Sequence, residues 1–170
     1  MAVPKARVVP LDPYDGKTGV LVPFVLDRIR KMAATHNCEV DPDQAMVGIG
    51  SRVYNQDPSI KLIAFLDERS KLVGHAVVSI ETDGVRHWVF VSQTGMDPGD
   101  WGNSVLKAME WTDQWAQEFS DKYLLPRKKE PIREMLMATR RDDRAWQRRF
   151  GFQFLRYVMI REIGTKGKEE

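Results

Sequence analysis

The chain has 170 residues, 42% of them apolar and 29% charged, with one cysteine and a formal charge of +2. That size and balance suit one folded domain and do not favour disorder. The longest apolar run, Val20 to Leu26, is broken by Pro23 and is too short to span a bilayer, and the opening MAVPKARVVPLD lacks the apolar stretch of a secretory signal. Cys38 alone permits no internal disulfide and suits a reducing compartment. The expectation is a soluble cytoplasmic protein with one domain, residues 1–163, and a frayed tail, residues 164–170.

In chain order, RVVPL (Arg7–Leu11) reads as a short strand stopped by the turn formers DPYDG. From Thr18 to about His36, Val20, Leu21, Phe24, Val25, Ile29, Met32 and Ala33 recur at three-and-four spacing, which predicts a helix with Pro23 near its start. DPDQAMVGIGSRVYNQDP predicts a second helix, capped by Asp41 with Pro42 at its first position. Three strands follow: IKLIAFLD (Ile60–Asp67), KLVGHAVVSIE (Lys71–Glu81) and VRHWVFVSQ (Val85–Gln93), all rich in β-branched and aromatic residues. Asp83-Gly84 signals a hairpin. A two-residue loop there would set Thr82 opposite Val85, Ile80 opposite His87 and Val78 opposite Val89. Both faces of this hairpin are mostly apolar, so something should cover each.

In MDPGDWGNSVLKAMEWTDQWAQEFSDKY a glycine-bearing turn precedes Val105, Leu106, Met109, Thr112, Trp115, Ala116 and Phe119, the spacing of an amphipathic helix. REMLMAT reads as another strand, DDRAWQRRF as a short helix stopped by Gly151, and FQFLRYVMIREI as a closing strand. The order β-α-α-β-β-β-α-β-α-β predicts an α/β (α+β) fold, a mixed and mainly antiparallel sheet with helices on both faces.

Charge is unevenly placed. Residues 121–170 carry 14 Lys/Arg against 8 Asp/Glu, a net +6, and the rest carry 12 against 16, a net −4. The basic third admits a phosphate-bearing or nucleic-acid partner. The interleaved Glu130, Glu134, Asp142 and Asp143 favour a solvated face of mixed charge instead. His36, Cys38, His75 and His87 lack metal-ligand spacing, so no metal site is expected. His87 is the one group on VRHWVFVSQ with a pKa suited to proton transfer near neutrality; it reads either as a base or as a structural hairpin residue, and His75 as structural.

Three stretches carry a resemblance: KLVGHAVVSI with its Gly74, MDPGDWGNSVLKAMEWTDQWA, and DDRAWQRRFGFQFLRYVMIREI. Together, over roughly Arg7 to Ile163, the chain resembles the GNAT superfamily of acyl-CoA-dependent N-acyltransferases. The wording TRR…AW.RRFGF…YVM.RE is similar to GNAT-like proteins encoded by tailed bacteriophages. The resemblance implies acetyl-CoA as cofactor, with its pyrophosphate at a helix N-terminus whose free amides and dipole favour anions. It implies binding roles for Gly99, Gly102, Asn103 and Ser104, for Phe90 and Val91 on the fourth strand, and for Arg140 or Arg141, whose guanidinium matches phosphate. A backbone N–H near Phe90 to Gln93 would polarise the thioester carbonyl.

The family pattern Gln/Arg-x-x-Gly-x-Gly/Ala falls either on Asp97, Asp100 and Gly102, which sets two carboxylates beside a polyphosphate, or on Gly99, Gly102 and Ser104. Both lack the Gln/Arg. In the other reading Gly99 and Gly102 only shape a turn, and Asn103 or Ser104 caps the helix. The family takes its base from a fourth-strand carboxylate and its acid from a tyrosine four residues before the Gly-Phe corner. Here His87 and Gln147 stand there, with Tyr157 on the last strand as the substitute acid. Arg140, Arg141, Arg144, Arg148 and Arg149 alternatively pair with Asp142 and Asp143 or coat an interface, while Trp146, Phe150 and Phe152 read as core anchors. Trp101 and Trp111 fit a partner surface or a helix packed on the sheet equally well. Two functions stay open: an N-acetyltransferase acting on an amine, and a catalytically inactive GNAT-fold interaction or structural protein, for instance in a phage particle, with protein partners or self-assembly. A nucleic-acid-binding module stands third, and no membrane is expected.

Overall fold

The computed structural model describes residues 5–35 and 41–137. Its centre is a five-stranded sheet in the order β1 (Arg7–Leu11), β2 (Ile60–Leu66), β3 (Leu72–Thr82), β4 (His87–Met96) and β5 (Met135–Met137). The first three junctions are antiparallel and β4–β5 is parallel. β2 and β3 are central and buried on both sides, which is why they read as near-continuous apolar runs.

Strand periodicity divides the core in two. Leu62, Ala64 and Leu66 of β2, with Val77 of β3, face the helices α1 (Val22–Thr35) and α2 (Pro42–Tyr54), meeting Val22, Val25, Leu26, Ile29 and Val53. Ile63 and Phe65, with Ala76, Val78, Ile80, Val89 and Val91, face α3 (Ser104–Phe119) through Ala108, Trp115 and Ala116. Each large apolar side chain so buried contributes about 1.5–3 kcal/mol. The expected cover on both faces is present, and helices and strands follow the predicted order through β5; the last helix and strand lie outside the described residues.

Local chemistry sets the ends of α2. The Asp41 carboxylate accepts from the amides of Asp43 at 2.9 Å and Gln44 at 3.0 Å, and Pro42 takes the first position, where no N–H is missed. A Gly19–Leu21 3-10 turn leads into α1. α3 continues through a π turn, Ser120–Leu124, and a 3-10 turn, Leu125–Arg127.

The β3–β4 hairpin differs from the sequence expectation. Thr82 pairs with His87, Ile80 with Val89 and Val78 with Val91, so the loop has four residues, Asp83–Arg86, rather than two. The cause is the Asp83 side chain: its carboxylate accepts from the amides of Val85 at 2.9 Å and Arg86 at 2.7 Å, and the Thr82 hydroxyl donates to the Arg86 carbonyl at 2.9 Å. A slip of two residues keeps the side chains from His87 to Val91 on their expected faces; beyond Val91 the register shifts by one more. β4 also runs three residues further than expected, to Met96. Among the described residues no helix is long and apolar enough to cross a membrane.

Candidate functional site

The loop between β4 and α3 is held by its own backbone and by α1. The Asp97 amide donates to the Val73 carbonyl at 2.8 Å, and Arg28 of α1 donates to the Asp97 carboxylate at 2.9 Å. The Trp101 indole donates to the Asp97 carbonyl at 2.7 Å. The Trp101 carbonyl in turn accepts from the Ser104 hydroxyl at 2.6 Å and from the Lys5 amide at 3.2 Å. Gly102 adopts φ +56°, where a Cβ is strained. Its amide donates to the Asp100 carboxylate at 3.1 Å, and that carboxylate also pairs with Lys5. The two loop carboxylates that looked wrong beside a polyphosphate thus each carry an internal cation.

Asn103 precedes α3 but makes no side-chain cap. Ser104 is fully buried, and its hydroxyl accepts from the Ala6 amide at 2.8 Å while donating to Trp101, so it ties the segment leading into β1 to this loop instead of capping the helix. The amides of Val105 and Leu106 donate to no acceptor among the described residues. They are first-turn donors of α3 that no intrahelical carbonyl can satisfy.

On the opposite face a cavity of about 700 Å³ lies between α2, β3 and β4. Its wall along β4 depends on a bulge. Val78 pairs with Val91 and Val77 with Gln93, so Ser92 has no partner in the ladder. The extra residue re-aims the strand, and Phe90, Ser92 and Gln93 all line the groove. At the hairpin end stand Trp88, Glu81 and Arg52. Ser79 donates to Glu81 Oε1 at 2.6 Å, and Arg52 Nη1 lies 3.8 Å from the same oxygen. The Arg52 guanidinium is otherwise committed, through Nε to Asp57 at 2.8 Å and through Nη2 to Ser59 at 2.9 Å.

Behind Gln93 lies His75, 1% exposed, on the rung that pairs it with Gly95. Burial, then the nearby Arg28 charge, pushes its pKa down to about 4 against the opposing influence of Gln93. Both ring nitrogens, Gln93 Oε1 and Arg28 Nε are buried without a hydrogen-bond partner. Such a cluster of unsatisfied buried groups is uncommon in a native interior.

The structure brings Gly99, Gly102, Asn103 and Ser104 into one loop at the C-terminal end of β4. It does not bring His87 there. His87 opens β4 at the hairpin end, nine residues before Met96 and about 30 Å along an extended strand. Burial and the Lys129 charge lower its pKa. Phe90 faces the groove, while the Val91 side chain is buried against the α3 side. Trp101 and Trp111 pack against the α3-side core, and Trp111 stacks on Trp115 at 6.1 Å, which favours the packed-helix reading over a partner surface. Arg140, Arg141 and Tyr157, with the whole arginine-rich stretch, lie outside the described residues. The sequence reading named Phe90 to Gln93 only for a backbone N–H, gave Glu81 no role, and took His75 as structural. The one available signal was alternation along Lys71–Glu81, which sets His75, Val77, Ser79 and Glu81 on one face.

Among the described residues no group of three or more His, Cys, Asp and Glu could hold a metal ion. No protein-family model and no curated protein matches the chain. Solved structures do. A Pyrococcus furiosus protein provisionally named an acetyl transferase superposes with a TM-score of 0.60 at 14% identity, over 92% of this chain and 100% of that one. The glucosamine-6-phosphate N-acetyltransferase of Arabidopsis thaliana does so with a TM-score of 0.55 at 11% identity, over 97% of this chain and 99% of that one. At these identities the likeness is one of fold: the mixed, mainly antiparallel sheet with helices on both faces is the fold class expected from the sequence, and these two proteins share it.

Proposed function

We propose that this chain is an N-acetyltransferase that moves the acetyl group of acetyl-CoA to the amine of a small molecule held in the groove between α2, β3 and β4. One juxtaposition carries the reading. The groove ends at Ser92 and Gln93; three residues later, at Met96, the same strand ends and enters the glycine-bearing loop that leads to α3 at Ser104. A substrate-sized cleft and a set of free helix amides therefore share one end of β4.

The residues fit the cofactor with one change from the sequence reading. The Val105 and Leu106 amides, rather than that of Gly102, are the donors for a pyrophosphate, because Gly102 is committed to Asp100. Acetyl-CoA supplies an activated thioester when bound. β4 pairs with β5 only as far as Val91, so the candidate backbone donors to the thioester carbonyl oxygen lie just beyond, at Ser92 and Gln93. His75, neutral at pH 7, is the titratable group behind Gln93, while the resemblance adds Arg140 or Arg141 as a phosphate ligand and Tyr157 as the acid.

Calorimetric titration with acetyl-CoA tests this directly. Binding in the micromolar range followed by CoA release in the presence of amines is the expected result; no heat at millimolar ligand rejects the enzyme. Gly102→Val forces a β-branched residue into a left-handed conformation and should abolish the heat. Unchanged affinity would place the cofactor elsewhere.

A second reading rests on the same loop. Asp97 and Asp100 stand where the family pattern has other residues, and Asp100 occupies a loop amide. These features favour a catalytically inactive interaction protein, for instance a bacteriophage virion component, and in that case the titration stays flat.

A further inference from the structure

We propose that the groove selects an amine carrying a second positive charge, held by Glu81 about 13 Å from the end where Gln93 stands. This deepens the acetyltransferase reading and rests on it for the reaction, though not for the binding.

The argument begins with the charges that line the cavity. Arg52 and Glu81 are the ionisable residues among them. Arg52 is neutralised by Asp57, whose two oxygens take Arg52 Nε and the Ser59 hydroxyl. The contacts of Glu81 fall on one oxygen: Ser79 donates to Oε1, and Arg52 Nη1 approaches Oε1. Oε2 has no partner among the described residues. Arg52, Asp57 and Glu81 together leave one negative charge, on a carboxylate whose free oxygen borders a cavity. A half-exposed carboxylate in that position recognises a cation and repels an anion.

Length follows from the register. Glu81 sits opposite Trp88 at the hairpin end, and Val77 sits opposite Gln93 at the other. Four residues of strand separate the two rungs, about 13 Å. Between them the walls are Ile49 and Ala45 of α2, Ile60, Val77 and Phe90, which offer an apolar passage. The ligand is therefore an amine joined through an apolar spacer of about eight carbons to a cationic terminus.

The test compares three amines of one length: 1,8-diaminooctane, octylamine and 8-aminooctanoate. With the full chain and acetyl-CoA, kcat/KM should fall about tenfold from the diamine to octylamine and further to the amino acid, and Glu81→Gln should bring the diamine down to the octylamine value. Equal rates across the panel, a diamine preference that survives Glu81→Gln, or preference for 8-aminooctanoate would each overturn the proposal. Calorimetry of 1,8-diaminooctane alone separates the two claims. If no amine is acetylated yet the diamine binds and Glu81→Gln weakens it about tenfold, the charge selection stands and the acetyltransferase reading falls. If the diamine gives no heat with wild-type protein, the groove proposal falls whatever the transferase assay shows.

Discussion

Replacing His75 by phenylalanine should remove a specific part of the acid sensitivity of this fold. The ring lies between β3, α1 and β4, with Arg28, Met32, Gln93 and Gly95 around it, and both of its nitrogens lack hydrogen-bond partners. Protonation in the folded state is opposed by burial first and by the Arg28 charge second, which takes the pKa from 6.5 to about 4. The unfolded chain binds a proton at about pH 6.5 and the folded chain does not. The stability that the neutral ring permits is therefore complete above pH 6.5 and declines as pH falls from there to about 4. Integrating that difference gives a loss of about 2 kcal/mol by pH 5 and about 3 kcal/mol by pH 4.

Urea melts of wild type and His75→Phe at pH 7.5, 6, 5 and 4.5 read this difference. A chain of this size loses roughly 2 kcal/mol of stability per molar urea, so the wild-type midpoint should fall by about 1 M more than that of the variant between pH 7.5 and 5. Carboxylate protonation is common to both proteins and cancels in the comparison. At pH 7.5 the larger phenyl ring should cost the variant about 1–3 kcal/mol of overpacking, a constant offset that leaves the change of the difference with pH as the readout. Parallel midpoints at all four pH values would refute the reasoning, because the imidazole would then titrate alike in folded and unfolded chains.

Two further substitutions probe the elements that position the site. Ser104→Ala deletes the hydroxyl that joins the Ala6 amide to the Trp101 carbonyl, leaving a buried donor unpaired; a loss of about 1–3 kcal/mol in the urea melt is expected, and a change below about 0.5 kcal/mol would mean that the loop closes by other contacts. Gly74→Ala places a Cβ about 2.8 Å from the Gly95 carbonyl oxygen, a backbone group that cannot turn aside as the neighbouring Met96 side chain can. The strained packing should cost about 1–3 kcal/mol, and a variant as stable as wild type would show that β3 and β4 separate easily at this rung.

What could be read from the residues alone followed the range of the interaction. Asp41-Pro42 declared the start of α2 because a cap and its amides lie within three residues of each other. The near-continuous apolar run of β3, first strand of the hairpin, announced a sheet covered twice, since it records burial on both faces. The hairpin register was lost to a competing local bond. Asp83-Gly84 advertises a tight turn, but the Asp83 carboxylate gathers two amides beyond it and widens the loop to four residues.

The bulge at Ser92 is a different kind of fact. It exists only in the count of β4 against β3, so no feature of VRHWVFVSQ by itself could signal it. Yet that one extra residue decides the site, because it turns both Ser92 and Gln93 to the groove and sets Gly95 opposite His75. In the proposed reading the same geometry places His75, and not His87, at the end of β4 that leads to the loop. His87 was the natural candidate on chemical grounds, being the titratable group on the right strand. But a strand ten residues long has two distant ends, and the chemistry of a β-α-β crossover belongs to the end from which the chain departs for the helix. His75, on the neighbouring strand and antiparallel to it, is carried to that end by pairing alone. A site residue in a mixed sheet is thus chosen by register as much as by residue type, and register is a property of two strands that neither one contains.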